Sequence, residues 1–192
     1  MAALLRAAGL GAGFALAARQ GPPPATPARA DVRVRPATRR DDDIVVALHL
    51  EEVGFHAALT PLVRELPGVA AALRARRADA LVWVAEVGGE VVGLAECAET
   101  TRPDDGVVRM LPPGRSGYLN SVGVRADRRG RGIGTALADT VLRAFAARGC
   151  AYQSLYFCWD NPLASRFWPR RGLAPVWTSW EALLPDRWPP PR

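Results

Sequence analysis

Apolar and polar positions first alternate at Val32-Arg33-Val34-Arg35, a period-two stretch halted at Pro36 that predicts a first edge strand. Thr38 then caps a helix. Beyond Asp41, Asp42 and Asp43, which favour a helix N-terminus electrostatically, apolar residues recur at Ile44, Leu48 and from Val53 to Leu59. A second helix is expected from Pro67 to Arg77. Leu81 to Val87 and Val91 to Cys97 are branched apolar runs joined by Gly88-Gly89, a two-residue loop suited to a primed hairpin turn. Prolines, glycines and charges between Thr100 and Gly117 predict a long mobile loop, with the strand Tyr118 to Val124 after it. From Ile133 the positions Leu137, Val141, Leu142 and Phe145 fall at helical spacing, and Gly149 supplies the C-cap. Ser154 to Trp159 is almost wholly apolar, as expected of a strand covered on both faces. A helix from Pro162 to Arg170 and a strand within Leu173 to Leu184 complete the pattern. Strand, helix and strand from Tyr118 to Trp159 imply a parallel crossover.

A chain of 192 residues suits one well-packed domain. Its net charge of +6 would ordinarily raise nucleic acid as a partner. Every positive side chain is arginine, however, and alanine and arginine recur along the whole length, which points to biased composition; no nucleic-acid partner is expected. Cys97, Cys150 and Cys158 show no paired spacing, so neither a disulfide framework nor a zinc site is indicated, and a reducing, cytoplasmic compartment fits. With only His49 and His56 available, no metal is expected.

Residues 1–30 read as an extension outside the domain, which spans 31–184, with 185–192 a flexible tail. Ala7 to Ala18 is an uncharged run between Arg6 and Arg19, too short to span a bilayer but close to a secretory h-region, with Ala15-Leu16-Ala17 resembling a cleavage site. A disordered extension or an over-long reading frame is favoured over that reading, with Gly21 to Pro27 as a proline-rich linker. No membrane association is expected.

The chemistry concentrates between Val122 and Leu137, where an apolar strand runs through arginines into a glycine-spaced helix start. Glycines let backbone approach a ligand, and free amides at a helix N-terminus offer partial positive charge to phosphate oxygens. The phosphate loop of nucleotide hydrolases is excluded, because the chain has no lysine. A dinucleotide fingerprint is excluded by the spacing of Gly130, Gly132 and Gly134, and by Tyr152 and Gln153 in the region where its acidic residue, about 20 positions on, should fall. What fits is R-x-x-G-x-G as Arg129, Gly132 and Gly134 directly after a V-x-V strand. Here the sequence resembles the GNAT superfamily of acyl-CoA-dependent N-acyltransferases. Asn161, Ala164, Phe167, Trp168, Gly172 and Leu173 resemble that family's second signature, N-x-x-A-x-x-F-[YW]-x-x-x-G-[FL].

The resemblance implies a single-domain α/β (α+β) fold, with a mixed, twisted central sheet of about six to seven strands flanked by about four helices. It implies acetyl-CoA as co-substrate. The backbone of Val122, Gly123 and Val124 would carry the pantetheine arm, and amides across Arg129, Gly130, Arg131, Gly132, Ile133, Gly134 and Thr135 would hold the pyrophosphate. Asn161 would contact the pantetheine arm, although capping the following helix is equally good chemistry for it. Two departures stand out. Many family members carry a tyrosine as acid where this chain has Trp168, and the family usually finishes with a hairpin, for which Leu173 to Leu184 leaves only Thr178-Ser179 as a break. Trp177 and Trp180 would line an open acceptor groove or serve as core or homodimer contacts.

An alkyl amine with a pKa of about 10.4 must lose a proton before it attacks a thioester. Glu96 and Tyr118 are the candidate catalytic residues, with Glu99 and His56 as further bases acting through water. Cys158, Ser165 and Tyr156 are candidates for protonating the leaving thiolate. The acceptor is a small-molecule amine or a protein amine.

Overall fold

The computed structural model describes residues 1–24, 29–59, 68–76, 81–100 and 111–182. A short helix α1 (Ala2–Ala7) precedes strand β1 (Gly11–Gln20). Strand β2 (Arg33–Pro36) leads through a 3-10 turn (Arg39–Asp41) into α2 (Asp42–Leu59) and α3 (Val69–Arg76). Strands β3 (Leu81–Val87), β4 (Glu90–Thr100) and β5 (Ser116–Val124) follow. Helix α4 (Ile133–Ala147), β6 (Tyr152–Cys158), α5 (Ala164–Arg170) and β7 (Ala174–Glu181) end the described chain. The expected helix ends Pro67 and Arg77, positions 101–110 of the expected loop, linker positions 25–27 and the tail 185–192 lie outside the described residues.

The seven strands form one mixed sheet in the order β2-β3-β4-β5-β6-β1-β7. All pairs are antiparallel except β5 with β6, the crossover closed by α4. Gly88 and Gly89 turn the β3–β4 hairpin with φ of 59° and 83°, values that favour residues without a Cβ. Strand β5 begins at Ser116, two residues before the Tyr118 boundary read from its apolar run, because Gly117 is strand and lies under the Phe145 ring.

One departure concerns the first 30 residues. Gly11–Gln20, expected outside the domain, is a ten-residue strand seated between β6 and β7. Ala15, Leu16 and Ala17 have no exposed surface. A strand covered on both faces needs no alternation, and a run of alanines between Gly and Arg carries no period to read. The missing terminal hairpin is thereby replaced: β1 and β7, from opposite ends of the chain, close the sheet.

The main core lies between the sheet and α4, where Ile133, Leu137, Val141, Leu142 and Phe145 meet Leu119, Leu155 and Phe157. Helix α2 covers the other face: a Cβ on Gly123 would lie 3.6 Å from the Glu52 Cβ, whereas Val122 and Val124 pack against the α4 cluster. Among the described residues no helix is long and apolar enough to cross a membrane.

Candidate active site

Strands β5 and β6 pair only from Ser116–Leu119 against Tyr152–Leu155 and then part. On its other edge β5 stays paired with β4 as far as Val124. The register shifts where Cys97 faces Leu119 and Glu96 faces Ser121, so Asn120 is the extra residue of a β-bulge, which bends β5 at the point of separation. The Arg125 amide donates to the Val92 carbonyl at 2.9 Å. By strand alternation the backbone groups of Val122 and Val124 therefore face away from β4, into the gap. The Val124 carbonyl accepts from Arg129 Nε at 2.9 Å. Val122 aims an amide and a carbonyl into a gap wide enough to separate two strands, and such interior groups require partners.

The mouth of the gap is the turn read from the sequence. A 3-10 turn (Ala126–Arg128) is followed by Gly130 and Gly132 with φ of 74° and 76°, and Gly132 is the N-cap of α4 with no side chain capping it. The first-turn amides of Ile133, Gly134 and Thr135 thus point outward at the positive end of a fifteen-residue helix. At Gly134 α4 lies against β5, where a Cβ would stand in ordinary contact with Val124 Cγ2, at 3.6 Å. Arg125, Arg128 and Arg129 are paired with neighbouring carboxylates. Arg125 pairs with Glu90 and Asp127, and Arg128 pairs with the same two carboxylates. Arg129 reaches Glu51 at 3.4 Å and lies over the Phe55 ring, 4.6 Å from its centroid. They brace the turn. Arg29 adds a guanidinium from outside the motif, donating to the Arg131 carbonyl beside Gly132.

On the α2 face the sequence-derived candidates separate into two groups. Glu96 is buried, accepting from Asn120 Nδ2 at 2.8 Å with His49 Nε2 at 3.4 Å, and its side chain is 8% exposed. Tyr118 lies on the same face and meets the Tyr156 ring edge-on at 6.5 Å between centroids. Burial pushes the Tyr156 hydroxyl and the Cys158 thiol above their ordinary values, so both stay protonated at neutral pH. Trp168 is packed in the core against Phe167, 4.7 Å between centroids.

The second group was not assembled by sequence reading. Glu52 Oε2 accepts from Ser121 Oγ at 3.1 Å, while Glu52 Oε1 lies 3.1 Å from His56 Nδ1. Asn161 Nδ2 lies 3.0 Å from His56 Nε2. The Asn161 carbonyl Oδ1 accepts from the amides of Leu163 and Ala164 at 3.0 and 3.1 Å, which fixes the side-chain amide and turns its NH2 toward the ring. His56 Nε2 is therefore an acceptor and Nδ1 carries the proton. The Glu52 carboxylate raises the His56 pKa, with burial and the charge of Arg129 opposing it. Asn161 caps the chain entering α5, as its position before Pro162 suggested, and also closes this polar chain across the gap. The i, i+4 spacing of Glu52 and His56 was visible in the sequence; Ser121 and Asn161 join them only in space. Among the described residues no group of His, Cys, Asp and Glu could hold a metal ion, and all three cysteines are free and buried.

No curated protein matches the chain. Solved structures share its fold. A tetramutant of the BH1408 protein from Bacillus halodurans superposes with a TM-score of 0.67 at 19% identity, over 79% of this chain and 99% of that one. The aminoglycoside N-acetyltransferase AAC(6')-Iy in complex with CoA gives 0.61 at 15%, over 85% and 99%. A predicted acetyltransferase from Clostridium acetobutylicum with acetyl-CoA gives 0.54 at 16%, over 84% and 96%. The sequence model of the acetyltransferase (GNAT) family matches residues 45–173, two thirds of the chain, which spans the parted strands, the glycine turn and the Asn161 signature. The chain belongs to the GNAT acetyltransferase family.

Proposed function

We propose that this protein transfers an acetyl group from acetyl-CoA to a primary amine by direct attack in a ternary complex. The observation that carries the reading is the parting of β5 from β6 after Leu119 and Leu155, with an amide-lined glycine turn at its mouth. The thioester supplies an acyl carbonyl activated toward nitrogen. Backbone groups of Val122 and Val124 would hold the pantetheine amides as an added strand, with Gly123 between them facing α2. Amides from Arg129 to Thr135 would take the pyrophosphate, because the first turn of α4 is uncapped and Gly130 and Gly132 hold φ values that keep side chains out of the way. Asn161 would remain a cap while its NH2 group borders the arm. Structures solved with CoA or acetyl-CoA share the fold, which supports the same donor here. The acceptor is a small-molecule amine or a protein amine, and a cytoplasmic setting follows from the donor.

A non-catalytic acyl-CoA-binding module is the second reading, favoured by the burial of Trp168 where many relatives place an acid. Thiol release from acetyl-CoA across a panel of amines decides between them. Turnover is expected; thermal stabilisation by acetyl-CoA without thiol release supports the binding module. Gly132→Glu places a carboxylate and a Cβ in the turn at φ 76° and is expected to weaken acetyl-CoA binding at least tenfold by calorimetry. Unchanged affinity in that variant would refute the cradle.

A further inference from the structure

We infer that the acceptor amine docks as its ammonium ion on the Glu52 carboxylate, on the α2 side of the strand parting, and gives up its proton there. This rests on amine acylation being the reaction. Glu52 lies over Gly123 and is tied to Ser121, the residues flanking Val122, so it stands at the level where Val122 aims its backbone into the gap. Helix α4, whose first turn faces the donor, covers the opposite face of β5. Donor and amine can thus approach the same gap from two sides.

The carboxylate is held but not saturated. Ser121 Oγ–H occupies one oxygen, and His56 Nδ1–H is shared between the other, at 3.1 Å, and the Glu52 backbone carbonyl, also at 3.1 Å, whereas a carboxylate offers about four acceptor sites. Its side chain is 20% exposed, against 8% for Glu96, which Asn120 and His49 enclose. Asn161 fixes the His56 tautomer, so the ring presents its N–H to Glu52. Arg129 is the charge that the turn brings toward this pair, and it opposes protonation of His56.

The step balances as follows for a primary amine. One ammonium N–H bond breaks and an O–H bond forms on Glu52. The freed nitrogen pair attacks the acyl carbonyl carbon, the C–N bond forms, and the C–S bond breaks with its electrons passing to sulfur. Nitrogen loses a second proton; of the two released, one ends on the thiol and one in solvent.

In the full chain Glu52→Gln is expected to leave acetyl-CoA affinity within about twofold and to lower kcat/KM for the amine by about a hundredfold at neutral pH. The deficit should close as pH approaches the amine pKa of about 10.4, where free amine needs no base. Glu96→Gln should lose less than Glu52→Gln. Should Glu52→Gln fail to fold, Glu52→Asp, which keeps the charge but withdraws it, carries the same comparison with a smaller loss. Undiminished kcat/KM, or a deficit that does not change with pH, overturns the inference and leaves acyl transfer standing. Absence of thiol release from the unaltered protein with every amine overturns both.

Discussion

Asp41 is the residue that fixes where α2 begins. Its carboxylate accepts from the Thr38 amide at 2.7 Å and hydroxyl at 2.9 Å, and takes both Arg35 terminal nitrogens at 2.8 and 2.9 Å. Arg35 extends from β2 and also binds Glu86 on β3, so one buried cluster joins the sheet edge to the helix that carries Glu51, Glu52 and His56. The Arg35 guanidinium, followed by the Thr38 donors, holds the Asp41 carboxyl well below the usual carboxylate range. A depressed folded pKa contributes stability that is present above the unfolded value of about 3.9 and is lost as pH falls through the folded one. Asp41→Asn is expected to cost about 1.5–3 kcal/mol at neutral pH in urea unfolding. The gap between variant and wild type should shrink in strong acid; a gap constant down to the acid limit would contradict the assignment. The capping role of Thr38 and the acidic helix start were legible in the sequence, because both act within a few residues. Arg35 as the partner was not, since that pairing depends on β2 lying beside the start of α2.

At the scale of elements, β5 and α4 form the unit on which the donor reading depends. Gly117 sits under the Phe145 ring, where an added Cβ would fall 2.4 Å from Cγ, and Gly93 of β4 accepts the Leu137 side chain nearly as closely, at 2.9 Å. Helix α4 is seated flush on the sheet by these missing side chains, which sets where its N-terminal amides point. Gly117→Ala is therefore expected to lower stability by about 1–3 kcal/mol through overpacking. It should also weaken acetyl-CoA binding more than its effect on folding explains, because the helix start moves with the helix. Retained stability, read from the urea midpoint, would show that Phe145 rotates aside freely. The periodic positions of α4 were read with their correct face, since Ile133, Leu137, Val141, Leu142 and Phe145 are all buried. Gly117 was read as loop because a glycine beside prolines and charges signals a turn; its function as a seat for an aromatic ring appears only when the helix returns across the strand.

Across the whole molecule, the sheet depends on its first strand. Among the described residues β1 is the only link in hydrogen-bonded order between β6 and β7. Leu16 in its centre is fully buried, and Leu16→Ala is expected to cost about 2–5 kcal/mol, a fall in Tm of roughly 4–20 °C for a domain of this size. A Tm within one degree of wild type would mean that β1 does not occupy that slot in solution. The sequence by itself determined the segment on which the proposed donor site rests. A strand, a glycine pair at positive φ and an uncapped helix start are consecutive, and local backbone geometry alone leaves their amides open to an anion. Only the tertiary structure decided the polar chain proposed to meet the acceptor and the closure of the sheet. Glu52, Ser121 and Asn161 come from three separate elements, and β1 reaches its neighbours from the far end of the chain. A carboxylate's reach and a strand's burial are set by what folds against them, and no spacing along the chain records that.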